Sequence, residues 1–328
     1  MSEFSDWASL CWSSDASGRE RTVVRPCFQI VVYVFLTERE QLAEFYAAAM
    51  TQLEGHLTHY QALDKDEAKI SPRALGMVPT WLRKPREFYW YNMDMWGGGT
   101  DYGPYGFHAL FCEHDVPPVG PRVPSRGIAG SRASREGYPL SIFRLSLPVD
   151  HELTRPASLI RYLSSVSLLR NGFFVSANCG YALRFDDRWS QGDEKRIESL
   201  CARYSGLDFV VHTQSGFLLG VRPEVPWIVP LIRRPSWMTL VNELAVEYLG
   251  GLPTVSSKLQ APGIELHPIG TSLLIQAGPR PELGDITRGE KLPLLSHVAR
   301  VLAPIRPERL TKDDSPFWNH FLNIFDDA

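Results

Sequence analysis

The sequence predicts an α+β fold, with mixed or antiparallel sheets flanked by helices and arranged as two related lobes. Three observations carry that expectation. Mostly apolar runs at residues 27–36, 140–147 and 272–277 are strand-sized, and the first is rich in β-branched and aromatic residues. Elsewhere, as at Leu42, Phe45, Tyr46, Ala49, Met50 and Leu53, apolar residues recur at the spacing of one helix face. Strands and helices also follow one another without the regular β-α-β alternation of a doubly wound parallel sheet. The lobes are expected at 27–136 and 137–328, with residue 205 as the other place where the chain could divide.

Taken in order, residues 1–26 read as an arm, with Trp7, Leu10 and Trp12 able to dock it. The strand at 27–36 leads to Thr37, an N-cap type, with Glu40 three positions later completing a capping box. The amphipathic helix that follows ends near Gly55. Residues 86–95 and 106–113 read as two strands joined by a loop rich in glycine and aromatics. Residues 116–139 combine proline, glycine and serine with Arg122, Arg126, Arg132 and Arg135, a composition that buries little and favours a mobile loop.

A strand is then expected at 140–147, a helix near 155–170, and a strand pair or one long bent strand at 173–185. The helix at 193–204 has acidic residues at its start, where they suit the helix dipole. Residues 237–306 read as a helix, a turn, a hairpin of two strands, an ordered turn and a second helix at 293–303. In the ordered turn, Gly278-Pro279 stops the strand, Pro281 stiffens the exit and Gly284-Asp285 adds a second turn signal. Its spacing is that of neither a G-x-G-x-x-G loop nor a P-loop, and two prolines remove amide donors, so a structural corner is the better reading. Near the end, Ser315 can cap and Pro316 fits a first helical turn. Phe317, Trp318, Phe321, Leu322 and Phe325 make one apolar face, suited to packing on its own domain or on a second subunit. No repeat of fixed period is visible.

Composition narrows the function classes. A chain of 328 residues with 44% hydrophobic residues can bury one large core or two modest ones. A formal net charge of −3 argues against bulk attraction to nucleic acid or anionic membrane. No apolar window reaches the length of a membrane span, and the first 25 residues lack the basic start and apolar centre of a signal peptide. Cys11, Cys27, Cys112, Cys179 and Cys201 are odd in number and contain no C-x-x-C pair, which suits reduced thiols. The expected location is the cytoplasm.

Most candidate chemistry is incomplete. His56 and His59 lie three apart near Asp64, Asp66 and Glu67, but without H-E-x-x-H spacing. A position at a helix C-terminus explains them more simply. Cys112-Glu113-His114-Asp115 holds nucleophile, base and carboxylate types, yet neighbours on a strand face opposite ways and no third orienting group is evident. The serines lack a G-x-S-x-G elbow. Asp186-Asp187 and Asp313-Asp314 read as solvated charge. The loop between the 86–95 and 106–113 strands differs in kind. Asp94, Trp96, Asp101, Tyr102 and Tyr105 gather aromatic area and acid near glycines, the composition of a protein-binding surface, against the plainer reading of core aromatics in a hairpin.

Several segments together resemble a known family. Trp237-Met238-Thr239-Leu240, Leu249-Gly250-Gly251-Leu252, and Gln276-Ala277-Gly278-Pro279 with Pro281 and Gly284-Asp285 carry the likeness most firmly. Ile142-Phe143-Arg144-Leu145-Ser146-Leu147-Pro148 looks like the family's central strand. They resemble the type VI secretion immunity family, whose founding members protect bacteria against VRR-NUC-type nuclease toxins, and the likeness spans roughly residues 27 to 306. It implies a cytosolic, non-enzymatic antitoxin that binds a cognate type VI effector toxin, a nuclease, and blocks it, with no catalytic residue, metal or cofactor. The arginine-rich 116–139 insert and the aromatic tail depart from the family pattern and leave the toxin's identity open. Two other readings stand beside this one: a hydrolase or metalloenzyme using His56, His59 and Cys112, and a structural adaptor that self-associates into a homo-oligomer through its C-terminal helix.

Overall fold

A computed structural model gives the architecture, and describes residues 12–14, 21–34, 39–62, 66–83, 90–98, 103–112, 141–171, 175–185, 191–209, 219–221, 228–306 and 324–325. In chain order the strands are β1 (Trp12–Ser14), β2 (Arg21–Val34), β3 (His59–Ala62), β4 (Ala68–Lys69), β5 (Trp90–Trp96), β6 (Gly106–Cys112) and β7 (Ser141–Leu147). They continue with β8 (Val175–Phe185), β9 (Leu219–Val221), β10 (Ile228–Pro230), β11 (Met238–Val241), β12 (Ile264–Ile269) and β13 (Ser272–Ala277). The helices are α1 (Arg39–Gln52), α2 (Pro72–Leu75), α3 (Met77–Arg83), α4 (Pro156–Ser165), α5 (Ser167–Asn171), α6 (Gln191–Arg203), α7 (Glu243–Tyr248), α8 (Leu252–Leu259) and α9 (Pro293–Leu302).

One antiparallel sheet runs through both expected lobes, in the order β12-β13-β11-β8-β2-β7-β6-β5-β3-β4, with β1 paired to β2. The α+β class holds. The expected division near residue 137 or 205 does not interrupt the sheet, because β2 pairs with β7 on one side and with β8 on the other.

β2 is long enough to do this because β-branched and aromatic residues make up most of it. Its one proline, Pro26, lies between the end of the β1 pairing at Val24 and the start of the β7 pairing at Phe28. There β2 has β8 as its neighbour among these strands, so the missing N–H breaks no ladder. The outer strand β12 is blunted in a related way. Pro268 has no N–H to offer, and Ile264 donates its own to Ala261 O at 3.1 Å.

The period-2 alternation of the strands sorts side chains onto two faces. One face carries Phe28, Ile30, Val32 and Val34 of β2, Phe143, Leu145 and Leu147 of β7, Phe107 and Ala109 of β6, and Met238 and Leu240 of β11. α1, α3, α4 and α5 cover it with Leu42, Phe45, Tyr46, Val78, Leu82, Leu159, Leu163 and Leu168. On the opposite face, Val241, Leu273, Ile275 and Ala277 pack against α7, α8 and α9 through Val246, Val255, Leu259, Val298 and Leu302, together with Phe325. The two cores therefore lie on opposite faces of one sheet.

Between them the second face is polar and still buried. Asp94, His108, Arg144, Asn178 and Thr239 fall on one cross-strand row, with Val31 between Arg144 and Asn178. Buried polar groups need partners. Asn178 Nδ2 donates to Arg234 O at 2.9 Å and Gln29 Nε2 donates to Ser146 Oγ at 3.2 Å. Nearby, Arg233 pairs with Asp208, and the Arg234 guanidinium lies 4.8 Å from the Phe325 ring centroid. Burial alone would raise the Asp208 pKa, but Arg233 and Arg234 beside it hold the carboxyl below its ordinary value.

Several expectations are refined. The segment opening at Trp237 begins with a strand rather than a helix, since Met238–Val241 is held between β8 and β13 and all four residues are buried. The helix expected near 155–170 is two helices, broken at Val166, and residues 175–185 form one long strand. Short β3 and β4 and helices α2 and α3 occupy a stretch whose sequence signalled none of them. Thr37 and the 116–139 loop lie outside the described residues.

The corner after β13 is structural, as its prolines indicate. Gly278 takes φ 92°, and its carbonyl accepts from Trp237 Nε1 at 2.9 Å and Gln276 Nε2 at 3.0 Å. Asp285 then caps residues 286–288 through Thr287 N and receives Arg203 Nε at 3.1 Å to each carboxylate oxygen and Arg203 Nη2 at 2.6 Å. These bonds, the Arg203 pair foremost, outweigh burial and hold the Asp285 carboxyl well below the usual carboxylate range.

Two stability predictions follow from this packing. Phe107 is fully buried against Phe45, Tyr46 and Phe143, so Phe107→Ala should cost about 3–5 kcal/mol in urea unfolding. Asp285→Asn should cost roughly 1–2 kcal/mol at neutral pH, a figure discounted because Arg203 is 40% exposed. Because the folded-state pKa is depressed, that contribution is present in full above the unfolded carboxyl value of about 4. The gap between wild type and Asp285→Asn should close only as pH falls below that value. A gap that closes between pH 8 and pH 5 would contradict the assignment.

Candidate functional site

The row His59, Trp96, Gly106, Ser146, Gln29 and Gly180 crosses β3, β5, β6, β7, β2 and β8 at one register. Beyond it, at the same end of the sheet, lies the turn joining β5 to β6. Its two limbs are tied by Gly97 N to Tyr105 O at 3.0 Å and by Gly103 N to Gly97 O at 2.8 Å. A Cβ on Gly97 would run into the His56 carbonyl, and one on Gly103 would stand 2.6 Å from Gly97 O, so both glycines serve close backbone approach.

Arg184, near the end of β8, supplies the turn's anchor. It is buried, and its guanidinium donates to Met95 O at 2.9 Å, to Gly103 O at 3.0 Å and to Tyr105 O. Asp94 Oδ1 accepts from the same group at 3.4 Å, and His108 Nδ1 lies 3.9 Å from that oxygen. A Cβ on Gly106 would fall on the guanidinium, which explains the glycine there without any unusual dihedral.

Aromatic rings line the outer side of this turn. Tyr105 is half-buried and stacks on His56 with centroids 3.8 Å apart and planes 1° from parallel. His151 meets the Tyr105 ring edge-on at 6.4 Å. His151 Nδ1 accepts from Leu153 N at 3.2 Å, and burial lowers its pKa below the ordinary imidazole value. His59 stacks at 6.1 Å on Trp96.

Of the residues the sequence offers for partner contact, the fold thus brings Asp94, Trp96 and Tyr105 to one end of the β5–β6 hairpin. Tyr105 is half-buried. Asp94 and Trp96 are buried, the first beside Arg184 and the second stacked with His59. Asp101 and Tyr102 lie outside the described residues. Sequence reasoning missed Arg184, His56 as a stacking partner, and His151. The one trace available was an arginine one residue from the end of the 175–185 segment.

The residues proposed for metal or hydrolytic chemistry do not converge. His56 and His59 stack on different aromatic rings. Cys112 ends β6 at the far side from Gly106, roughly 20 Å along the strand at its usual rise. No group of three or more His, Cys, Asp or Glu suited to a metal ion occurs among the described residues. The thiols of Cys27, Cys179 and Cys201 are free and buried, and burial raises their pKa, that of Cys27 to about 11. A cleft of about 110 Å³ beside the 278–295 corner, between Tyr181, Trp237, Pro281 and Leu294, is below the several hundred Å³ usual for small-molecule sites. No helix among the described residues is long and apolar enough to cross a membrane.

Comparison with known proteins bears on the chain as a whole. No curated protein matches it. Among solved structures, the Pseudomonas aeruginosa T6SS protein PA0821 is similar, with a TM-score of 0.72 and 18% sequence identity over 96% of this chain and 87% of that one. At that identity the likeness establishes a shared fold. The sequence itself matches the family TsiV, described as type VI immunity for VRR-NUC, over residues 127–323. That span holds β7, the α4–α5 pair, β8, and the whole β11-to-α9 unit with its Gly250-Gly251 and Gly278-Pro279 turns. With well over half of its length matched, this chain belongs to the TsiV family of type VI secretion immunity proteins.

Proposed function

We propose that this protein is the antitoxin of a type VI effector pair. It binds its cognate toxin, a nuclease, in the cytoplasm of the producing cell and silences it by covering the toxin's active centre without itself performing a reaction. Family membership carries this reading. The wide separation of Cys112 from His59, and the commitment of both histidines to aromatic stacking, favour it over the hydrolase or metalloenzyme alternative. The burial of Phe325 against its own core favours it over self-assembly through the aromatic tail.

The contact surface is the β5–β6 hairpin end, where Tyr105 presents its ring over His56, with Asp101 and Tyr102 in the same connection. Asp94 and Trp96 act from beneath, as counter-ion and platform. A half-buried tyrosine on a rigid base supplies contact area at low entropic cost, and such residues dominate binding energy at interfaces. Neutralising a toxin calls for nanomolar affinity, equivalent to about 12 kcal/mol.

The test is co-expression with the neighbouring effector, followed by co-purification and calorimetry. The expected result is a stoichiometric complex, rescue of toxin-expressing cells, and loss of nuclease activity in vitro. Tyr105→Ala should weaken the complex about tenfold or more, while Cys112→Ser should protect as well as the wild type. Absence of a complex at micromolar concentrations, together with absence of rescue, would refute the proposal. Protection that disappears with Cys112→Ser would instead favour an enzyme.

A further inference from the structure

We propose that Arg184 is the positioning residue that holds the two limbs of the β5–β6 connection, at Met95 and at Gly103 to Tyr105, in place before the toxin arrives, an inference resting on the reading of that hairpin as a toxin-contact element. Arg184 is 79 to 90 residues away in sequence from the groups it holds. Its acceptors come from both limbs of one turn: Met95 O from the strand entering it, Gly103 O and Tyr105 O from the strand leaving it. A planar guanidinium with five fixed donors can join three carbonyls and a carboxylate at once, whereas a lysine ammonium carries three donors on one atom.

Burying such a charge is costly, and a well-packed apolar side chain serves stability as well or better. Here the buried charge has Asp94 for its counter-ion and donates to three carbonyls of the turn that carries Tyr105. Gly106 completes the arrangement by leaving the guanidinium its place. The physical gain is preorganisation. A turn already ordered in the free protein loses less conformational freedom on binding, so more of each contact appears as affinity. Arg184 thereby acts through Tyr105 without touching the toxin.

The experiment uses the full chain and its effector toxin, with Arg184→Met, Arg184→Lys and, as an independent way to displace the guanidinium, Gly106→Ala. In the free protein, the amides of Gly97 and Gly103 should exchange with solvent at least tenfold faster in Arg184→Met and Gly106→Ala, while those of β13 keep their rates. Toxin Kd should rise at least tenfold in the same two variants, with Arg184→Lys between them and wild type. A double-mutant cycle of Arg184→Met with Tyr105→Ala should be non-additive, which a purely structural role would not produce. Unchanged exchange in the turn, or a loosened turn with unaltered toxin affinity and additive effects, overturns the inference alone. If the wild type binds no toxin, the reading beneath it fails and the inference falls with it.

Discussion

Burying both faces of one antiparallel sheet obliges every polar side chain on it to find a partner inside the protein. Most of the structure can be read as a response to that constraint. The first face avoids the problem with an apolar surface under α1, α3, α4 and α5. The second does so only at the β11–β13 end, under α7, α8 and α9. Between them the row from Asp94 to Thr239 is buried and polar apart from Val31, and ion pairs form on it and close by: Arg184 with Asp94, and Arg233 with Asp208. Removing one member of such a pair leaves an uncompensated charge away from water, which is why these residues act as sets.

The same constraint joins parts of the chain that are distant in sequence. Arg184 belongs to β8, in the family-matched region, yet its bonds end on the β5–β6 turn that precedes that region. Arg203 at the end of α6 is tied to Asp285 in the corner after β13, and the backbones of Tyr204 and Asp285 bridge beside it. Each link places a charged side chain of one element on the turn of another. Both turns lie at the same end of the sheet.

On the proposed antitoxin reading, the hairpin end where Tyr105 stacks on His56 is the surface that meets the toxin. Binding surfaces need side chains whose positions are already set, because ordering them on contact subtracts from affinity. At this hairpin end the fold supplies close backbone packing at Gly97 and Gly103, a stacked His56–Tyr105 pair and a buried arginine. On that proposed reading, function resides in shape, which leaves no short catalytic signature in a sequence.

Much of the fold was nonetheless legible from residue order. β7, β13, α1 and α9 each carry their own periodicity, and the Gly250-Gly251 and Gly278-Pro279 turns announce positive dihedrals and ladder stops that glycine and proline impose locally. Membership of the family was likewise written in those local segments. What only the tertiary structure decided depends on neighbours remote in sequence. Met238–Val241 is a strand because β8 and β13 flank it, and β3 exists because β5 offers it an edge. For Asp94 and Trp96 the sequence left surface and core both open, and they are a buried counter-ion and a stacking platform because Arg184 and His59 arrive from elsewhere in the chain. Local propensity is a property of a few adjacent residues, whereas burial and pairing of charge are properties of the assembled sheet.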